Sequence, residues 1–163
     1  MEIIEIKTFI KNNSKILTSS VKYTDDGYSI YEYTINALGV NYTIQFIEND
    51  ENEITAMKYN SMEINGTNNI QLELYELMNY KNIEYIDCYI IKKSHNKSFE
   101  ILDIYDDCYN NNEDMLVCNR TFIKDNKKIH MKIVYQYDDY TLYYNMEVIC
   151  GFDNIIKKID EIL

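Results

Sequence analysis

An antiparallel α+β fold is what this chain predicts, and three observations carry it. In the stretch 129–150, a turn at Asp139 and Tyr140 would pair apolar residues on one face: Tyr137 with Leu142, Tyr135 with Tyr144, Ile133 with Met146, Met131 with Val148 and Ile129 with Cys150. The interleaved face is mostly polar and sets Lys132 opposite Glu147. A turn at Leu38 and Gly39 does the same for Ala37 with Val40, Ile35 with Tyr42, Tyr33 with Ile44 and Tyr31 with Phe46. Successive strand side chains point to opposite faces, so each register divides a buried face from a wet one. Thirdly, segments near the start, middle and end of the chain space their apolar residues at the helical period. The expectation is antiparallel meanders with three amphipathic helices in a single domain over 1–163.

Residues 2–12 read as the first helix, with Ile3, Ile6 and Ile10 on one stripe and Phe9 beside it, although Glu2-Ile3-Ile4-Glu5-Ile6 also suits a strand. A strand at 15–24 ends at Asp25-Asp26-Gly27, where glycine supplies the positive φ of a turn. The Leu38-Gly39 hairpin follows, then an acidic loop at 48–53 and a strand at 54–59. Ile70, Leu74, Leu77 and Met78 mark a helix over 67–81, with Thr67 or Asn69 as its N-cap. Strands are expected at 83–92 and 98–105, joined through a turn containing His95, and at 115–124 beyond a polar loop at 110–114. After the 129–150 hairpin, a last helix starts near 151–153 and lines up Ile155, Ile156, Ile159, Ile162 and Leu163. No linker composition or defensible sequence repeat divides the chain, although the layout hints at two similar halves.

Composition excludes several classes of function. The chain has 163 residues and a formal net charge of −11, which opposes binding to nucleic acid or to an anionic membrane surface. Its 17 Tyr, its many Asn and Ile, and its absence of Pro match AT-rich coding, so abundance alone says little about function. Met1-Glu2-Ile3-Ile4-Glu5 lacks the basic start of a signal peptide, and no run approaches the roughly 18–20 apolar residues of a membrane helix. A cytoplasmic location is the expectation.

Motifs for chemistry are sparse. The four Gly cannot build a phosphate-cradling loop, and the widely spaced Cys88, Cys108, Cys118 and Cys150 form neither a zinc nor a redox motif. His95 and His130 stand near no nucleophile motif, and Cys150 falls on the apolar face of its predicted hairpin. Asn110, Asn112 and Asp114 echo the start of a calcium loop whose Gly and closing Glu are missing. No cofactor or metal is expected.

What remains is acid and tyrosine. Asp103, Asp106, Asp107, Glu113 and Asp114, with Tyr105 and Tyr109, occupy a segment free of Lys and Arg between Lys97 and Arg120. Rigid aromatic area beside carboxylates suits contact with a basic protein. The sequence therefore predicts a non-enzymatic binding module: an immunity or antitoxin-type inhibitor of a basic toxin, or a dedicated chaperone. Self-association is compatible with it. The other class is a small enzyme or ligand-binding protein using carboxylates and Tyr in a sheet-lined pocket.

Overall fold

The computed structural model describes residues 1–97, 99–101, 109–112 and 115–163. The chain divides into two compact units, Met1–Tyr80 and Lys81–Leu163. Each is α+β, with an antiparallel meander covered on one face by helices.

The first unit runs α1 (Ile3–Asn13), β1 (Lys15–Tyr23), β2 (Ser29–Ala37), β3 (Val40–Glu48), β4 (Ile54–Tyr59), β5 (Met62–Asn65) and α2 (Thr67–Leu77). Its strands lie side by side in chain order. The β2–β3 register is the one expected, from Ala37 opposite Val40 to Tyr31 opposite Phe46. On the outer face the same register brings Asn36 to Asn41 (2.7 Å), Thr34 to Thr43 (3.3 Å) and Gln45 to Glu32 (2.7 Å). On the inner face Tyr33, Ile35, Ile44, Phe46 and Met57 pack under Ile6 and Ile10 of α1 and Ile70 and Leu74 of α2. The first helix is held at its start by the Glu5 carboxylate, which accepts from the Glu2 N–H at 2.9 Å. Gly66, not Thr67 or Asn69, caps α2, and the short strand β5 falls where the sequence predicts none.

The second unit comprises α3 (Ile83–Asn96), β6 (Glu100–Ile101), β7 (Tyr109–Asn112), β8 (Met115–Lys124), β9 (Lys127–Gln136), β10 (Asp139–Tyr144), β11 (Glu147–Cys150) and α4 (Phe152–Ile162). Strands β8 to β11 form a meander, and β6 and β7 both pair with β8. Cys118, Phe122, Met131, Ile133 and Leu142 meet Ile86 and Ile90 of α3 and Ile155 and Ile159 of α4.

Three expectations fail here. The 129–150 hairpin is a three-stranded meander: Tyr135 opposes Tyr140, not Tyr144, and Leu142 opposes Ile133. The turns fall at Tyr137-Asp138 and Asn145-Met146, all four with positive φ, as two-residue type I′ hairpin turns require. The slip is an even number of residues, so Ile129, Met131, Ile133 and Leu142 keep their buried face and alternation could not detect the error. The second turn resets the parity instead. Ile149 packs inward, while Met146, Val148 and Cys150 are exposed. Next, 83–92 is helix, because Ile83, Ile86 and Ile90 share a helical stripe and Asn82 caps it, accepting from the Tyr85 N–H at 2.7 Å. His95 therefore sits in the last turn of α3 and in no hairpin, and the described residues hold four helices in place of three.

The hinted likeness of the halves is real at the level of structure. Gly66 and Gly151 open α2 and α4 with φ of 85° and 87°. Asn69 and Asn154 each reach back to a carbonyl, of Asn65 and Cys150, at 3.0 Å. At the same offset Ile70 matches Ile155, Leu74 matches Ile159 and Met78 matches Leu163, all buried. The β4–β5 and β10–β11 registers coincide pair for pair, from Ala56 opposite Asn65 and Thr141 opposite Cys150 onward.

At one buried position an aromatic ring in the first half gives way to a cation in the second. Tyr33 and Arg120 stand equally far before their hairpin turns, and each is 4% exposed. Arg120 donates through Nε and Nη2 to the two oxygens of Asp87 on α3, both at 2.6 Å. Cys118 Sγ lies 3.3 Å from the same carboxylate. Removing one partner of a buried pair strands the other's charge, whereas replacing both with apolar groups relieves both desolvation costs. Asp87→Ala is expected to cost about 3–5 kcal/mol and the Asp87→Leu/Arg120→Met double variant much less. Chemical denaturation of the full chain checks this, and a double variant as unstable as the single one would disprove it.

Several tyrosines resist ionisation. Tyr31 is pushed up by its hydrogen bond to Glu48, Tyr33 by burial, Tyr59 by burial and its bond to Glu73, and Tyr89 by burial and its bond to Asp160. A hydroxyl whose folded pKa exceeds its unfolded value near 10 stabilises the fold fully below that pH. That contribution is lost as pH rises through the folded value. Tyrosinate absorbance should therefore lag behind free tyrosine in the native chain and return to a midpoint near 10 in denaturant. Coincident native and denatured titrations would count against this packing.

Candidate protein-binding surface

Of the residues singled out from sequence, Asp103, Tyr105, Asp106, Asp107, Glu113 and Asp114 lie outside the described residues. Tyr109 opens β7, opposite Val117 of β8.

The first unit gathers acid at one end of its sheet. Ser29 opposes both Tyr23 and Glu48, and Glu48 opposes Ile54, so the β1–β2 and β3–β4 loops share that end. The first loop contributes Asp25 and Asp26, and the second Asp50, Glu51 and Glu53, all exposed. Tyr23 is 75% and Tyr28 44% exposed beside them. The backbone of Ile54 donates to the Met1 carbonyl at 3.3 Å, which brings the start of α1, with exposed Glu2, to the same end.

Both loops are built structures. Thr24 pins the first: its backbone N–H and hydroxyl both donate to the Tyr28 carbonyl, at 2.9 and 3.2 Å. Asn49 organises the second, its side-chain oxygen accepting from the N–H groups of Glu51 (3.0 Å) and Glu53 (2.9 Å). Its own N–H donates to the Glu53 carbonyl at 3.0 Å. The carboxylates are thereby presented outward on ordered backbone, since asparagine supplies the local acceptor that acidic side chains would otherwise compete for. Glu48 is the exception: it is 5% exposed and accepts from the Tyr31 hydroxyl at 2.9 Å.

Three clefts in this unit offer a different chemistry. One of about 370 Å³ between α1 and α2 is lined by Glu5, Phe9, Thr67, Gln71 and Tyr75, among others. A second, of about 460 Å³, lies at the β4–β5 hairpin, where Lys58 and Glu63 pair at 2.9 Å. A third, of about 330 Å³, runs between α1 and β1. None of the three brings two carboxylates, or a carboxylate and a histidine, to one point. Among the described residues no cluster of His, Cys, Asp or Glu is arranged to hold a metal ion. His130 is on the outer face of β9, its Nδ1 3.0 Å from the Thr121 hydroxyl.

A second group of rings lies in the other unit. Tyr85 stacks on Tyr89 (6.1 Å) and touches Phe152 (5.3 Å), which meets Tyr140 (5.4 Å), which meets Tyr135 (4.7 Å). Their hydroxyls are engaged internally: Tyr89 donates to Asp160, Tyr135 to Asp138 and Tyr140 to the Lys81 carbonyl. This ladder pins α3, α4 and β10 together, whereas Tyr23 and Tyr28 are turned to solvent.

No protein-family model, curated protein or solved structure matches the chain. No helix among the described residues is long and apolar enough to cross a membrane.

The shape of the acidic end depends on Asn49. Asn49→Ala removes the acceptor for two backbone N–H groups, and a lost cap of this kind costs about 1 kcal/mol. Amide exchange at Glu51 and Glu53 should accelerate with little change in the β2–β3 hairpin; unchanged exchange would mean that the loop is held otherwise.

Proposed function

We propose that this chain is a non-enzymatic binding module that engages a basic protein through the acidic end of its first unit, as an immunity or antitoxin-type inhibitor does with a toxin. One observation carries the reading: Asp25, Asp26, Asp50, Glu51 and Glu53 are exposed together beside two solvent-facing tyrosines, with Lys22 the nearest basic residue in sequence. Like charges held on ordered loops repel one another, and a cationic partner relieves that repulsion while being steered to its site. Tyr23 and Tyr28 then supply rigid contact area at small entropic cost. The segment with Asp103, Asp106, Asp107, Glu113 and Asp114 is the second location for the same chemistry. A dedicated chaperone for a basic client is the near variant.

The experiment is affinity capture of the partner with the full chain, followed by stopped-flow association at several ionic strengths. The Asp25→Asn/Asp26→Asn/Asp50→Asn variant should associate about tenfold more slowly at low salt, and the difference should vanish as salt screens the charges. If Asp106→Asn/Asp107→Asn/Asp114→Asn is the variant that slows, the site lies in the later segment. Association unaffected in both, or a captured partner with an acidic surface, would overturn the reading.

A further inference from the structure

We propose that the free edge of β1, with the groove between it and α1, takes an extended acidic segment of a partner protein as an added strand. This surface meets the acidic end only at Lys22 and Tyr23 and is opposite to it in sign, so it stands whether or not that reading does. Strand β1 spans nine residues, Lys15–Tyr23, and all but Ile16 are exposed. It pairs with β2 on one side and with no described strand on the other. A register shift between Ile16 and Thr18 leaves Thr18–Tyr23 in unbroken antiparallel pairing. Such a strand aims alternate N–H and C=O groups outward, so this part of the edge is a template for one more strand. The outer strands β5 and β11 have four residues each and offer far less.

The flanking surface is prepared for side chains as well. The groove of about 330 Å³ is lined by Ile3, Ile4, Lys7, Ser19, Ser20 and Val21, among others. Ile4 is 68%, Leu17 43% and Val21 47% exposed, giving an apolar rim beside a polar centre of serines. Strand addition uses main-chain bonds for affinity and such flanking sites for choice of partner.

Charge selects the occupant. Of the five lysines in the first unit, Lys58 is paired with Glu63, while Lys7 and Lys11 are on α1 and Lys15 and Lys22 on β1. No acid occurs in β1. The Glu5 carboxylate is turned back to the Glu2 N–H and lines the cleft on the α2 side of α1. A chain of net charge −11 has thus collected four of these five lysines on one edge strand and the helix beside it. Lysines at an edge discourage pairing with a like-charged copy. An extended segment with alternating carboxylates satisfies the open ladder and the ammonium groups together.

The test uses a fluorescein-labelled peptide of about eight residues, the length of an ordinary strand, alternating Val and Glu. Fluorescence anisotropy should show saturable binding to the full chain, and amide exchange in β1 should slow on binding. Peptides with alternate backbone nitrogens methylated, or with Lys for Glu, should bind at least about tenfold more weakly, a loss of about 1.4 kcal/mol. The Lys7→Glu/Lys15→Glu/Lys22→Glu variant, changed only at exposed positions, should lose binding comparably, and the corresponding Lys→Arg variant should retain it. Equal binding of the methylated peptide would overturn strand addition, and equal binding of the Lys peptide would overturn the charge selection. No binding at about 1 mM peptide, weaker than any specific strand-addition contact, would overturn the proposal. So would a dimer in sedimentation that Val21→Lys disperses, which would make a second copy the occupant.

Discussion

Each sheet of this protein has one face that water must not reach, and everything else in its unit follows from sealing that face. A meander of β-strands alternates inward and outward side chains, so half of its residues are apolar and need a lid. The chain supplies the lid from helices at the two ends of each meander, α1 and α2 in the first unit, α3 and α4 in the second. Ile10, Ile44, Phe46 and Ile70 in one, and Ile90, Met131, Ile133 and Ile155 in the other, are wholly buried where sheet and helices meet. The helices must therefore leave the sheet at a fixed angle. Gly66 and Gly151 serve this need: both hold positive φ at the strand-to-helix corner, a conformation that side chains rarely adopt.

How much of this could be read from the residues depended on which signal was local. The β2–β3 hairpin was legible down to its register because Gly39 marks the turn and both faces alternate without interruption on either side. The β9–β10 register was not, because Tyr137, Asp138, Asn145 and Met146 adopt left-handed turn conformations without a glycine to announce them. Alternation constrains a register only modulo two, so the buried set survived while the pairing did not. The misreading of α3 has another cause. Its Ile and Tyr content favours a strand, yet the spacing of Ile83, Ile86 and Ile90 behind Asn82 is helical, and burial decides between propensity and period.

The repeated unit also shows how one scaffold position accepts different chemistry. Where the first sheet places Tyr33 in the core, the second places Arg120 and recruits Asp87 to neutralise it. An aromatic ring fills that space through apolar contact; a guanidinium needs a carboxylate in a fixed, forked geometry. The pair thus ties α3 to β8 more directionally than packing would. The tie exists only because 83–96 is helix, so the strand-like composition of that segment hides it.

The acidic end was only half visible for a related reason. Charge along the chain shows blocks of acid, but adjacency in space comes from strand pairing. Asp25-Asp26 and the 48–53 loop became neighbours only once the β2–β3 register set Ser29 opposite Glu48. The register was readable, so this adjacency could have been drawn from sequence; the placement of lysine could not. Lys7, Lys11, Lys15 and Lys22 look evenly scattered in one dimension, and the fold sorts them onto a helix and an edge strand that lie side by side. Apart from Lys22 beside Asp25 and the Lys58–Glu63 pair, opposite charges are thereby kept apart on a small body. Internal pairing would have placed these lysines against the acids of the loops and quenched both fields. Separation leaves both fields directed outward, a design that favours contact over self-neutralisation.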